Sequence, residues 1–574
     1  IQLTHLGRRG EPLSQNWLPT VAPSVVRETG HRSFPREMDK HDIARIVRAF
    51  GEAAWRAKQG GLDGMETMIG GHLIGQFLSP ITNQRSDDYG GSEENRCRFG
   101  LEVHEEIRRR VGDDFIVGMR FPIDETQRAG LGFDDCVSIA HRFEQSGLID
   151  YFNVNYGRID TELALITDCM PGMASPTAPW LDKAGAFRRE VSLPVFHAAR
   201  ITDLATARHA IKDGLLDMVA MTRAHIADPE IVNKLKRGEE HRIRPCVGMT
   251  HCMGDTRPTC VHNAASGREQ FWAQVIPKSA GPKRRCVVVG GGPAGLEAAR
   301  VLGSRGHEVV LMEASDAPGG QLRMASRAGW RKEVSGIIDW RCDELDKLGV
   351  DLRLNTYAEV EDVIAESPDT VIVATGGIPD LEWLEGNELA TPVWDVLSGV
   401  VRMKDEAVVY DGTGRHPAVT AVDAYLSAGR EVSLVLLDDR PAAELAYGER
   451  VIWKRELARK GLVPILERRL VAVERDGDRL IAHFRHELTG EPMLLAAEQV
   501  VVEHGTVPAD ELYQALRSES ANDGVTDIDA LVAGTPQPRD STAGKFDLYR
   551  IGDAQSSRNL AAAIYDALRL CSVM

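Results

Sequence analysis

The chain has 574 residues, 43% of them hydrophobic and 27% charged, with a formal net charge of −17. At about 150 residues per domain this length implies roughly four domains with substantial cores, and the acidic balance argues against a nucleic-acid or anionic-membrane surface. No apolar run reaches roughly eighteen residues and no leader-like segment opens the chain, so a cytoplasmic protein without membrane insertion is expected.

In chain order, Ile1-Gln2-Leu3 is strand-like and runs into the polar turn HLGRRG. Short apolar runs follow at 64–68 (GMETM), 115–121 (FIVGMRF), 151–155 (YFNVN), 194–198 (PVFHA) and 217–221 (DMVAM). Between them, amphipathic stretches at 42–58, 94–111, 134–147 and 202–214 read as helices. Alternation at this rhythm predicts parallel βαβ units, hence an α/β fold. Six strands are visible where a closed TIM (β/α)8 barrel needs eight, so two βα units, about 90 residues, are expected upstream. In such barrels the chemistry lies at the C-terminal ends of the strands. Gln2, His72, Arg120, residues 197–200 and Thr222-Arg223 fall there. Arg223 leads toward Ala227-Asp228-Pro229, and an arginine with backbone N–H groups at such a corner makes a phosphate site. Taken singly, Arg120 also reads as a surface ion pair and His72 as a satisfied core histidine.

The segment 244–269, RPCVGMTHCMGDTRPTCVHNAASGRE, marks the change of architecture and carries three of the nine cysteines. Cys246, Cys252 and Cys260 are separated by five and seven residues. Thiolates are the usual holders of iron–sulfur clusters, normally four to a cluster. Met249 stands where a C-x2-C-x2-C run would place its middle thiolate. Two readings stay open: a metal site built on three cysteines, or three free cysteines in a linker, since scattered cysteines are usually small buried hydrophobes. The other six are dispersed, which suits a reducing compartment and not a disulfide framework.

Residues 285–313, RCVVVGGGPAGLEAARVLGSRGHEVVLME, form the strongest local motif. Gly290-x-Gly292-x-x-Gly295 follows an apolar run and opens a helix, and Glu313 ends the next strand. The glycines permit a tight turn and close approach of a pyrophosphate, and the acid holds ribose hydroxyls, so an adenine dinucleotide or ADP is expected. Farther on, AVVYDGTGRHPAVTAVDAYLSAGREVSLVLL reads as a second such unit, with Gly412-x-Gly414 kept and Pro417 where a third glycine is expected. It is read as a degenerate, structural relic of an NAD(P)H site.

The text of residues 1–230 resembles the old yellow enzyme barrel through QLTHLGR, GGHLIGQFLSPITNQRSDDYGGSEENRCRF, VGMRF, PVFHAARITD and AMTRAHIADP. That resemblance implies FMN, with Gln2 and Arg120 at its pyrimidine side and Ala199, Arg200, Thr222 and Arg223 around its phosphate. The paired residues usual in that family's active site are absent, and His72 occupies the family tyrosine's position. With an ordinary histidine value near 6.5 it would donate or accept a proton at neutral pH. Gly319-Gly320-Gln321, VIVATGG (371–377) and RIGDA (550–554) resemble motifs of the glutathione-reductase-like flavoproteins. There Gly320 and Gln321 belong to the cofactor site and Asp553 meets the flavin ribityl chain, which implies FAD or ADP.

As a whole the chain resembles the trimethylamine dehydrogenase and 2,4-dienoyl-CoA reductase group, with PVFHAARITD, RPCVGMTHC and CVHNAASGRE most like bacterial demethylases of dimethylglycine or N-methylproline. The implied organisation is an FMN barrel (1–235), a cysteine-rich junction holding a [4Fe-4S] cluster (236–280), an FAD/ADP-binding Rossmann-like domain in two parts (281–395 and 505–574), and an inserted NAD(P)-binding-like domain (396–504). The implied activity is oxidative N-demethylation, with His72 as the base near the substrate amine. Electrons would pass to an acceptor such as an electron-transfer flavoprotein or partner subunit, in a homo-oligomer. Arg8 or Arg9 is suited to hold a substrate carboxylate, because guanidinium pairs bidentately with it. The rivals are an NAD(P)H-driven enoate or dienoyl-CoA reductase and an inactive flavin-binding electron-transfer scaffold.

Overall fold

The computed structural model describes residues 1–11, 17–254, 258–538 and 545–574. It divides into two compact units, Ile1–Arg223 and Ala224–Met574.

In the first unit six strands, β1 (Gln2–Leu3), β2 (Gly64–Met68), β3 (Ile116–Pro122), β4 (Tyr151–Asn155), β5 (Val195–His197) and β6 (Met218–Val219), pair in chain order. Every pairing is parallel. This is the wall of a TIM-barrel domain. The helices are α1 (Lys40–Gln59), α2 (Leu73–Leu78), α3 (Glu93–Val111), α4 (Phe133–Ser146), α5 (Leu181–Glu190), α6 (Leu204–Lys212) and α7 (Thr222–Ala227). Their starts are written locally. Asp39 and Asp42 form a reciprocal cap on α1, Ser92 accepts from Asn95 N at α3, and Asp203 accepts from Thr206 N at α6. Such caps satisfy backbone donors that a helix start leaves unpaired, at about 1 kcal/mol each. The outward strand residues Met65, Val117, Met119, Phe152, Val154 and Val195 pack with Ile46, Phe50, Val103, Ile107, Ile139 and Phe143 of the helices. The apolar runs at 194–198 and 217–221 shorten to three and two strand residues.

The second unit contains two parallel sheets. The first has the order β9-β8-β7-β10-β18, from β7 (Arg285–Val289), β8 (Glu308–Met312), β9 (Asp351–Arg353), β10 (Thr370–Val373) and β18 (Asp547–Arg550). Helices α8 (Pro293–Arg305) and α9 (Gly336–Leu348) belong with it. The last strand arrives from far along the chain, as a discontinuous domain requires. The second sheet orders β11-β17-β12-β13, from β11 (Thr391–Pro392), β12 (Glu406–Asp411), β13 (Glu431–Leu436) and β17 (Gln499–Glu503), with α10 (His416–Ser427) following β12. An antiparallel layer, β14 (Arg468–Asp476), β15 (Arg479–His486) and β16 (Pro492–Ala497), packs against it through Leu470, Val473 and Phe484. No helix among the described residues is long and apolar enough to cross a membrane.

Candidate functional site

Side chains alternate across a strand, so register decides which polar groups share the barrel interior. Gln2 pairs with Glu66, and Arg120 with both Met68 and Asn153. The result is a connected polar floor. Gln2 Nε2 donates to Glu66 Oε1 at 2.6 Å, Asn153 Nδ2 to Glu66 Oε2 at 3.0 Å, and the Tyr151 hydroxyl to Glu66 Oε2 at 3.1 Å. Arg120 Nη1 donates to Asn153 Oδ1 at 2.5 Å. Burial lowers the Arg120 guanidinium from its ordinary value, opposed by the charge of Glu66. Glu66 is thus the hub that joins Gln2 to Arg120, and sequence reasoning did not single it out. Its signal is a charged acid in the middle of the short run GMETM, on the face that alternation turns inward.

His72 caps the N-terminus of α2 through its extended backbone, and its Nδ1 lies 2.5 Å from Thr4 Oγ1 in a hydrogen bond. Burial first, then the charges of Arg9 and His5, bring its pKa to about 4. The ring is therefore neutral throughout the physiological range, a correction to the expected titration near 6.5. The other barrel histidine at a strand end, His197, is fully buried, donates from Nδ1 to Val154 O at 2.9 Å, and is likewise lowered to about 4, chiefly by burial.

At the end of β5, Ala199 (φ 106°) and Arg200 (φ 56°) are consecutive non-glycine residues in the left-handed region. Such backbone persists only where its surroundings over-determine it, and it gathers at ligand sites. Arg200 Nε donates to Ser175 O at 2.8 Å, and Arg223 Nη2 to Pro171 O at 2.8 Å. Two guanidiniums from adjacent strand ends therefore reach one loop. Arg223 Nη1 is buried without a hydrogen-bond partner, a donor that an anion would satisfy. Thr222 is exposed at the start of α7. These groups fit the phosphate of FMN, and Gln2 with Arg120 fits the polar edge of its ring.

In the second unit the β7–α8 turn has the geometry its glycines imply. A Cβ on Gly295 would overlap the Gly290 carbonyl oxygen, and one on Gly290, whose φ is 103°, would strike Ala374 O. Gly292, the N-cap of α8, has open space where a Cβ would point. A pyrophosphate needs such space at a helix start. Glu313 is buried and accepts from Gly291 N at 2.6 Å and Ser315 N at 2.7 Å. Gly320 (φ 51°) opens a short helix, and Gln321 Nε2 donates to Asp553 Oδ2 at 3.2 Å. The distant 319–321 and 550–554 motifs thus meet. Burial raises the Asp553 carboxyl, against hydrogen bonds from Arg558 N and Gln321. The cradle fits FAD or ADP.

The cysteine segment lies in the second unit. Cys246, Cys252 and Cys260 are each partly buried, and His262 N donates to Cys260 Sγ at 3.4 Å. Among the described residues no three His, Cys, Asp or Glu side chains converge in a way that could hold a metal ion. Asp255, Thr256 and Arg257 lie outside the described residues. Cys246, Cys252 and Cys260 stay the candidate thiolates for the expected [4Fe-4S] cluster. Buried arginines accompany the segment. Arg244, Arg300 and Arg341 stand 4.5, 5.5 and 5.8 Å from the Trp340 ring centre. Glu297 pairs with Arg300 at 2.7 Å and Arg341 at 2.9 Å, and Arg341 Nη2 donates to His262 O at 3.1 Å. Burial, with neighbouring arginines, lowers Arg244 to about 10.

The inserted sheet retains a cavity of about 500 Å³ at its glycine turn, lined by Thr413, Arg415, Asp438, Glu444, His504 and Ser557 among others. A Cβ on Gly414 would meet the Asp438 carboxylate at 2.6 Å. Beneath it, Asp411 and Glu503 are register partners on β12 and β17. Asp411 Oδ1 accepts from Gly414 N at 2.9 Å and Thr413 N at 3.0 Å, while Oδ2 is buried without a hydrogen-bond partner.

Comparison with known proteins matches residues 1–242 to the NADH:flavin oxidoreductase / NADH oxidase family and residues 284–567 to the pyridine nucleotide-disulphide oxidoreductases. The chain is 50% identical over 575 residues to a "Multifunctional alkene reductase/demethylase OYE" of Caballeronia cordobensis, covering 99% of this chain and 84% of that one. It is 47% identical to a "Probable N-methylproline demethylase" of Rhizobium meliloti (strain 1021), covering 99% and 85%. Histamine dehydrogenase from Rhizobium sp. 4-9 superposes with a TM-score of 0.87 at 25% identity, over 99% of this chain and 82% of that structure.

Proposed function

We propose, for a chain that belongs to the NADH:flavin oxidoreductase / NADH oxidase family and is an FMN-dependent oxidoreductase, that its reaction is the oxidative N-demethylation of a small N-methylated amine or amino acid. FMN, when bound, would supply the hydride acceptor for the N-methyl C–H bond, and hydrolysis of the resulting iminium by water would give formaldehyde and the demethylated amine. The residues of the chain bind, orient and desolvate. Gln2 and Arg120 hold the ring edge with Glu66 balancing Arg120, while Arg200 and Arg223 hold the phosphate.

The observation that carries this reading is the state of His72. Hydride loss needs the free amine lone pair, so a bound amine must be kept unprotonated. A neutral imidazole with a pKa of about 4, lowered by burial and then by the charge of Arg9, marks a site that disfavours a further positive charge. The same ring is a poor proton donor at neutral pH, which weighs against reduction of an activated alkene. The identities of the two relatives named as demethylases support the same reading. Cys246, Cys252 and Cys260 would hold the iron–sulfur cluster of this reading, and the acceptor of the reducing equivalents is proposed to be a separate redox protein or partner subunit.

A second reading, an NAD(P)H-driven alkene reductase, draws on the retained cavity at Gly412–Gly414 and on the first half of one relative's name. Anaerobic mixing of the flavin-loaded protein separately with dimethylglycine, N-methylproline and NADPH distinguishes the two. Demethylation predicts bleaching by an N-methylated substrate with one formaldehyde per flavin reduced. Bleaching by NADPH alone would overturn it in favour of the reductase.

A further inference from the structure

Iron–sulfur clusters are normally held by four donors. Segment 244–269 offers three thiols, with Met249 where a fourth would stand. A thioether carries no charge and does not replace a thiolate. One other side chain in the segment is built to complete the set.

His262 stands two residues after Cys260 and is 1% exposed. Its backbone N donates to Cys260 Sγ at 3.4 Å, and its ring Nδ1 donates at 3.0 Å to the carbonyl of Pro245, the residue before Cys246. That second hydrogen bond fixes the tautomer. With the proton on Nδ1 the lone pair lies on Nε2, which is how a metal-bound imidazole is ordinarily arranged, its other nitrogen donating to a carbonyl. Nε2 is buried without a hydrogen-bond partner, a state that is rare for a buried polar atom unless a ligand completes it. Trp340 meets the ring edge-on at 5.2 Å, with 83° between the ring planes, and Arg341 Nη2 donates to the His262 carbonyl at 3.1 Å. Ring and backbone are both held. His251, the segment's other histidine, has Nε2 3.3 Å from Thr259 Oγ1, and among the described residues of 244–269 no second ring nitrogen is both buried and unpartnered.

The surrounding charges suit an anion. Glu297 answers Arg300 and Arg341 together. Asp228 accepts from Arg244 N at 2.7 Å but is already paired with Lys234 at 2.6 Å, and Glu344 is paired with Arg242 at 2.8 Å. Arg244 Nε is buried without a hydrogen-bond partner. Three guanidiniums around Trp340 thus share one carboxylate that no other cation claims, and an anionic cluster of sulfides and thiolates would offset the excess.

We propose that His262 Nε2 is the fourth ligand of an iron–sulfur cluster whose other three ligands are the thiolates of Cys246, Cys252 and Cys260. The inference rests on the iron–sulfur part of the function proposed above and deepens it. No three donor side chains converge among the described residues, so cluster assembly has to draw the thiolates to the fixed imidazole, as metal binding commonly couples to folding. Each cysteine gives up its thiol proton on binding iron, whereas the neutral ring forms its Fe–N bond without releasing one. Imidazole in place of a thiolate removes one negative charge from the ligand set and raises the reduction potential, as histidine does in Rieske centres.

The test is anaerobic reconstitution of the protein with iron and sulfide, followed by iron and sulfide analysis, a redox titration, and pulsed electron paramagnetic resonance of the reduced, histidine-15N-labelled sample. Wild type is expected to show one strongly coupled nitrogen. His262→Cys should lose that coupling, keep all four irons and titrate at a lower potential. His262→Ala should lose one iron to give a three-iron centre on oxidation, and His251→Ala should behave as wild type. A complete cluster without nitrogen coupling in wild type would overturn the assignment of His262 alone. So would coupling that persists in His262→Cys, or that disappears in His251→Ala instead. Wild type that takes up no iron or sulfide would overturn the assignment together with the iron–sulfur part of the functional reading.

Discussion

Replacing Glu503 by glutamine is expected to stabilise the inserted sheet in alkaline solution and to leave it unchanged in acid. Glu503 and Asp411 sit side by side on β17 and β12, both buried. Burial first, and then the charge of Asp411, push the Glu503 carboxyl up from 4.5 to about 8, and burial raises Asp411 to about 6. A folded-state value above the unfolded one means that the native sheet binds more protons between those limits, so stability falls as pH rises. The stability tied to the Glu503 proton is fully present below about 4.5 and is lost as pH rises to about 8. At ~1.4 kcal/mol per tenfold change in proton affinity, the window corresponds to a ceiling of order 5 kcal/mol. Relaxation and water entry at a buried charge reduce this, and about 2 kcal/mol is the expected gain of Glu503→Gln over wild type above pH 8. Because several domains unfold in this chain, the readout should be local. Hydrogen exchange of the β12 and β17 amides, corrected for intrinsic rates, serves at about pH 5, 7 and 8.5. A difference between variant and wild type that stays flat across that range would refute the reasoning, since it would mean the carboxylate ionises freely in the folded sheet.

Three other outcomes are expected. Arg223→Ala removes the buried guanidinium left without a partner at Nη1 and should weaken FMN binding by at least tenfold, roughly the 1.5–3 kcal/mol of a charge-assisted hydrogen bond, read by fluorescence of released flavin, with Arg223→Lys intermediate. Gly295→Ala drives a methyl into the Gly290 carbonyl and should abolish adenine-nucleotide retention, measured on the denatured protein's supernatant, while barrel-bound FMN stays near stoichiometric. His72, lowered to about 4, should impose no inflection near pH 6.5 on the rate of flavin reduction by substrate, and an inflection there that vanishes in His72→Asn would show that the ring titrates near its ordinary value.

Much of this architecture is local in origin. The runs at 64–68 and 151–155 form strands with those same bounds, because a short apolar run flanked by polar turns states its own period. The 290–295 turn is equally self-contained: three glycines and a helix start dictate the backbone without reference to anything distant. The motifs that carry Gln321 and Asp553 were read separately, and only the fold brings these two side chains together from 232 residues apart.

What the chain alone did not reveal depends on distances between remote segments. Glu66 becomes a hub only because β1 and β4 bring Gln2 and Asn153 beside it from 64 and 87 residues away. His72 looked like an ordinary histidine until burial and the charge of Arg9 held it neutral. Cysteine spacing measures chain length and not direction, so it could not say whether three thiols converge. The order of elements was therefore settled by sequence, through periodicity and turn sterics, while protonation, charge balance and ligand capacity were decided by tertiary structure, through burial and the inverse dependence of electrostatic energy on distance.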